Sequence, residues 1–182
     1  LSAWGGPAAY CFTDVARAFV DAAPRGLAPG AGAVAFEARL FDIEAPPPPE
    51  VAALGPFDVV IASNVLHATR RVATTLQRLH GVMAPGGALV LNEVVSVQDF
   101  ATLTFGLTDG WWAFEDAEDR LADAPVLSVD GWRTALAGAG FPGLAVDAIS
   151  GPDGRPVQAV LSATRDGRPA LLGPSQDRGV PP

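Results

Sequence analysis

The sequence predicts an α/β fold whose sheet is mostly parallel and closes with a C-terminal antiparallel hairpin. Short apolar runs alternate with stretches of helical period, the order expected when helices cover both faces of a parallel sheet. Residues 57–62 (FDVVIA) form an unbroken apolar run of the kind buried on both faces of such a sheet. Residues 144–149 and 157–164 flank Gly151-Pro152-Asp153-Gly154, a turn sequence that predicts a hairpin.

Taken in order, residues 8–13 (AAYCFT) predict a strand, 15–23 a helix and 34–41 (VAFEARLF) an alternating strand. The four prolines at 46–49 predict a loop, because proline fixes φ and has no N–H to donate. After the 57–62 strand, Val72, Leu76, Leu79 and Met83 share one helical face, which predicts a helix over 70–83. The turn Pro85-Gly86-Gly87 then leads into a strand over 88–95 (ALVLNEVV). Residues 99–124 form an aromatic-rich insertion, and Ser128 is placed to cap a helix over 129–139 that Gly140 ends. From Asp166 onward the composition is that of a linker. The expected division is therefore a domain over 1–165 and a tail over 166–182.

The length of 182 residues suits one core, and an apolar fraction of 49% with 18% charged residues is globular composition. All 12 basic residues are Arg, and against 20 acidic ones they leave a net charge of −8, which argues against nucleic acid as a partner. The single Cys11 rules out an internal disulfide or a zinc cluster of cysteines, and no metal site is expected. Inside a predicted strand it is expected to be buried and inert. No apolar run approaches the roughly 18 residues that span a bilayer, and residues 1–30 show no basic-then-apolar leader. The chain reads as cytoplasmic, with no membrane partner. Its start at Leu1 is expected of a piece of a longer polypeptide.

Ligands of open α/β sheets bind beyond the carboxyl ends of the strands. That rule selects Asp14, Asp42, Ser63, Asn64, His67 and Glu93. If the 57–62 and 88–95 strands are neighbours, His67 and Glu93 emerge on one rim. A carboxylate beside an imidazole fixes its tautomer, as a general base requires. The residues alone leave open a second reading, in which His67 only caps a helix or satisfies a loop. Among the aromatic residues, Phe105, Trp111, Trp112 and Phe114 either wall a ligand chamber or form the core of a lid. Trp111 is assigned to the core, with Phe105 and Trp112 assigned to the chamber. His80 is expected on a solvated helix face.

The segment 57–69 (FDVVIASNVLHAT), followed by Ala84-Pro85-Gly86-Gly87 and by 105–112 (FGLTDGWW), resembles the S-adenosylmethionine-dependent C-methyltransferase domains of polyketide synthases. Supporting matches are 10–15 (YCFTDV), 40–44 (LFDIE) and 125–128 (PVLS) with Trp132. The resemblance implies a class I methyltransferase, Rossmann-like fold. It implies that Asp14 binds the ribose of S-adenosylmethionine, that Asp42 and Ile43 line the adenine, and that Ser63 and Asn64 lie near the methionine part. His67 and Glu93 would form the catalytic dyad, His67 removing the α-proton of a β-ketoacyl thioester and Glu93 orienting the imidazole. The implied partners are an acyl carrier protein that presents the substrate and the neighbouring polyketide synthase domains.

One part of the pattern is missing. Such domains open with a strand and a Gly-rich loop, and neither Gly5-Gly6-Pro7 nor the 26–32 segment follows a buried strand and opens a helix. The absent strand would lie at the centre of the sheet, between the 8–13 and 57–62 strands. The isolated chain is accordingly expected to bind S-adenosylmethionine weakly or not at all. Two alternatives stand beside the enzymatic reading: a non-catalytic pseudo-methyltransferase, and an interaction module that docks neighbouring domains.

Overall fold

The structure is a computed structural model that describes residues 9–27 and 34–167 and divides into two compact units, Leu1–Pro56 and Phe57–Pro182. In the first unit, β1 (Ala9–Asp14) and β2 (Ala35–Leu40) pair in parallel, with Ala9 opposite Ala35 and Asp14 opposite Leu40. Between them in the chain runs α1 (Arg17–Leu27), which buries Val20 and Ala23. The sequence reading ends this helix at residue 23, yet it continues through Pro24 to Leu27. An internal proline removes one hydrogen bond without dismantling the flanking turns. A second correction concerns the prolines of 46–49, which do not exclude helix: Pro49 opens the short α2 (Pro49–Ala52) after an extended Pro48. At the first helical position the missing N–H would have had no partner anyway.

The second unit contains β3 (Phe57–Ser63), α3 (Val72–Val82), β4 (Met83–Val94), α4 (Asp99–Phe105), α5 (Val129–Gly138), β5 (Ala145–Ser150) and β6 (Pro156–Thr164). Its sheet has the order β3-β4-β6-β5. The β3–β4 ladder is parallel, while β6 runs antiparallel to both β4 and β5. The hairpin expected at 151–154 is present, closed by Gly151 N–H donating to the Arg155 carbonyl at 2.8 Å.

Period-two burial along β4 places the site. Leu89, Leu91, Glu93 and Val95 are all buried, whereas Val90, Asn92 and Val94 between them are half-buried. Glu93 therefore continues an inward-facing apolar row. The strand begins earlier than expected, at Met83, so Pro85-Gly86-Gly87 lies inside it rather than before it. The register against β3 shifts there, from Phe57 opposite Met83 to Val59 opposite Ala88. Gly87 sits at the shift because a Cβ would stand 2.9 Å from the Ala84 carbonyl oxygen and 3.1 Å from that of Phe57.

A third correction concerns β3. Its apolar run predicts burial on both faces, but Val59 and Ile61 are exposed and only Ala62 is buried. Among the described residues β3 pairs with β4 alone. His80 also departs from expectation: it is half-buried on α3, edge-on to Phe141 with ring centroids 5.3 Å apart. Ser128 does cap α5, its Oγ accepting from Gly131 N–H at 3.0 Å. Gly140 ends that helix at φ +86°, with Phe141 N–H bonded to the Leu136 carbonyl and Gly140 N–H to that of Ala137. These two bonds define a Schellman closure, whose positive φ suits glycine.

Candidate active site

At the end of β3 the chain turns sharply. Asn64 adopts φ 51°, in the left-handed region where Asn is the side chain best tolerated after Gly. Its N–H still reaches the Asn92 carbonyl at 2.7 Å, and its Oδ1 accepts from Val94 N–H at 3.1 Å. The side chain thus extends the β3–β4 ladder by one bond while the main chain leaves it. Beside it, Asn92 Nδ2 donates to Ser63 Oγ at 3.0 Å, and Gln158 Nε2 donates to Asn92 Oδ1 at 2.8 Å.

The turn at Asn64 aims the next two amides at Glu93. Oε1 of this fully buried carboxylate accepts from Val65 N–H at 3.1 Å and from Leu66 N–H at 3.0 Å. Oε2 lies 2.5 Å from His67 Nδ1. A carboxylate only accepts, so Nδ1 carries the proton in this pair and Nε2 keeps its lone pair when the ring is neutral. His67 itself is buried, in the 3-10 turn Leu66–Ala68. Three donors converging on two oxygens satisfy a carboxylate that would otherwise be costly to bury.

The loop that carries His67 is fastened from its other side by a pair that sequence reasoning missed, Arg120 and Asp116. Both are buried, and Arg120 Nη2 lies 2.6 Å from Asp116 Oδ1. Arg120 Nη1 donates to the His67 carbonyl at 2.6 Å and also to that of Pro125, while Nη2 donates to the Thr69 carbonyl at 2.8 Å. Asp116 Oδ2 accepts from Val72 N–H at 2.8 Å, at the start of α3. The Phe114 ring, considered above as chamber wall or lid core, faces the Arg120 guanidinium at 5.5 Å. The one sequence signal is the i,i+4 spacing of Asp116 and Arg120, which also describes an ordinary solvated pair.

Of the aromatic residues, Trp111 approaches His67, edge-on with centroids 6.3 Å apart. Its other neighbour is Phe105, stacked at 5.9 Å and 18°. Trp111 is buried, and its indole N–H has no hydrogen-bond partner. Trp112 is about half exposed and donates from Nε1 to the Gly106 carbonyl at 2.9 Å. Phe105 thus connects to the dyad through Trp111, whereas Trp112 is tied to the loop behind α4.

The remaining predicted residues belong to the first unit. Asp14 ends β1, and its Oδ1 accepts from Ala16 N–H at 2.7 Å. Asp42 lies just past β2, where Oδ1 accepts from Glu44 N–H at 2.9 Å, and Ile43 follows it in the turn. Asp42 borders a concavity of about 250 Å³ whose other walls are Val15, Leu40, Phe41, Ala45, Pro46 and Pro48. Cys11 is half-buried rather than buried, and burial pushes its thiol pKa up, with Arg39 opposing. Gly5-Gly6-Pro7, most of the 26–32 segment and nearly all of the 166–182 tail lie outside the described residues. Among the described residues no helix is long and apolar enough to cross a membrane, and no cluster of three or more His, Cys, Asp or Glu could hold a metal ion.

His67 and Glu93 thus meet at the carboxyl ends of two adjacent parallel strands of an α/β sheet. Residues 3–89 match the family described as "Methyltransferase domain". The solved structures this chain is similar to are class I methyltransferase folds. Its relatives are polyketide synthases: it is 41% identical over 132 residues to polyketide synthase PksM of Bacillus subtilis (strain 168), covering 72% of this chain and 3% of that protein. Among solved structures, the DszA carbon methyltransferase is 36% identical with a TM-score of 0.72, covering 87% of this chain and 40% of that one. The trans-methyltransferase CalH, solved in complex with SAH, is 34% identical with a TM-score of 0.71, covering 86% of this chain and 42% of that one. The chain therefore spans a small fraction of the synthases it matches and less than half of the solved methyltransferase chains.

Proposed function

We propose that this chain serves S-adenosylmethionine-dependent methylation of the α-carbon of a β-ketoacyl thioester during polyketide assembly, with His67 as general base. The observation that carries the reading is the 2.5 Å contact between Glu93 Oε2 and His67 Nδ1, which favours a proton on Nδ1 and would leave Nε2 of a neutral ring as the lone pair. The α-carbon between two carbonyls is unusually acidic, because the enolate spreads over both oxygens. An imidazole can remove its proton without a metal ion, and Glu93 stabilises the imidazolium that forms. The α-carbon is then the nucleophile. When bound, S-adenosylmethionine supplies the electrophilic methyl group.

The resemblance gives that cofactor candidate contacts. In the first unit Asp14 would hold the ribose, and Asp42 with Ile43 the adenine, at the edge of the apolar concavity described above. By the same resemblance Ser63 and Asn64 would lie near the methionine part. Phe105 and Trp112 would guide the acyl chain. An acyl carrier protein would present the substrate, and neighbouring synthase domains would flank the chain. The likeness to carbon methyltransferases supports the choice of carbon as the methyl acceptor.

The test is methyl transfer by the complete synthase domain that carries this sequence, with labelled S-adenosylmethionine and a β-ketoacyl carrier-protein substrate. Replacing His67 by Ala is expected to lower turnover by about 10²- to 10⁴-fold. Turnover at the unsubstituted rate would make the dyad dispensable, as in an interaction module.

A further inference from the structure

We infer that Arg120 is a positioning residue for the His67 base, an inference that rests on the function proposed above. An imidazole is located by its own hydrogen bond and by the main chain that carries it. Glu93 fixes the first, and Arg120 fixes the second. The guanidinium is engaged through all three of its nitrogens. Nε donates to Asp116 Oδ1, Nη1 donates to the carbonyls of His67 and Pro125, and Nη2 donates to the Thr69 carbonyl while standing 2.6 Å from the same Asp116 oxygen. His67 is the middle residue of the 3-10 turn that places the ring and Thr69 is the residue that ends it, and Arg120 is the partner the structure gives to both carbonyls.

The clamp is rigid for two reasons. Only about 1% of the Arg120 side chain and 6% of that of Asp116 is exposed, so water cannot substitute for a lost donor. Asp116 is itself anchored at Val72 N–H, and the next carbonyl along the loop, that of Arg70, accepts from Glu115 N–H at 2.8 Å. The segment 115–120 thus grips the loop at four main-chain groups between residues 67 and 72. Lysine would keep the charge, but its three protons on a single nitrogen cannot reproduce a planar fork. A misplacement of about 1 Å at a reacting group costs on the order of 10²-fold in rate.

The experiment uses the same complete domain and compares Arg120→Lys, His67→Ala and the double variant. Arg120→Lys is expected to lower kcat by about 10- to 100-fold, with KM for S-adenosylmethionine and for the thioester each within about threefold. In the His67→Ala background the same replacement is expected to change the residual rate less than about twofold, because no base remains to be positioned. Asp116→Asn, which leaves the fork its carbonyl partners, is expected to give a smaller drop of about three- to tenfold, and carries the test if Arg120→Lys does not fold. Unchanged kcat in these variants beside an inactive His67→Ala overturns the role of Arg120 and leaves the base standing. An equal loss in both backgrounds also overturns it, since Arg120 would then act on the fold rather than through His67. Full activity of His67→Ala removes both readings together.

Discussion

Two stretches of the second unit lie close together in sequence and are built in opposite ways. The loop at 64–72 is saturated with hydrogen bonds: Glu93 takes two of its amides and the His67 ring, and Arg120 takes two of its carbonyls. The α4 region buries none of its helical residues, and Phe100, Leu103 and Leu107 are 74%, 75% and 88% exposed. A group that must meet a proton within a fraction of an ångström is held by directional bonds. An apolar surface has no such requirement, because the hydrophobic effect has no direction. Phe105 and Trp111 join the two stretches, the first stacked on the second and the second edge-on to His67.

The sharpest way to break this contrast is at Glu93. Glu93→Gln keeps the shape but places an amide N–H₂ among donors, so the Nδ1 proton of His67 loses its acceptor and the other tautomer is favoured. Such an exchange beside a catalytic imidazole costs up to about 10⁴-fold in kcat. The loss should appear in turnover with a labelled methyl donor, together with a stability loss of about 1–3 kcal/mol by denaturant titration. At α4 the contrast predicts tolerance: Leu103→Ser should change unfolding free energy by no more than about 0.5 kcal/mol. A large loss there would show that the helix is packed against a partner surface. The smallest effect concerns Cys11. With its pKa raised by burial, less of the thiol is ionised at pH 8 than in an exposed cysteine. Alkylation by iodoacetamide in the folded chain should therefore be slower than after denaturation, and an equal rate would show that the β1 environment does not shield the sulfur.

The sequence makes the strand–helix–strand unit legible because each element signals itself locally. The β4 segment is an apolar run entered through Pro85-Gly86-Gly87, the α3 apolar residues recur at helical spacing, and Ser128 and Gly140 mark the two ends of α5. His67 and Glu93 are legible as a candidate pair for the same reason, since both follow apolar runs whose carboxyl ends share a rim when those strands are neighbours. The exposure of β3 is not legible, because an apolar run does not state how many neighbours its strand has. Nor is the early start of β4, where the backbone approach at Gly87 rather than the turn residues sets the register.

Local pattern thus determined the class of fold, the caps of α5 and the set of polar strand-end residues from which His67 and Glu93 come. Tertiary structure decided which aromatic ring meets His67, that Asn64 spends its side chain extending a ladder, and that Arg120 is buried across the loop from Glu93. The physical reason is separation along the chain. Helical and strand periods are set by neighbours a few residues apart, whereas Arg120 reaches the carbonyls of His67 and Thr69 across more than fifty residues. No local signal distinguishes that arginine from one left in water.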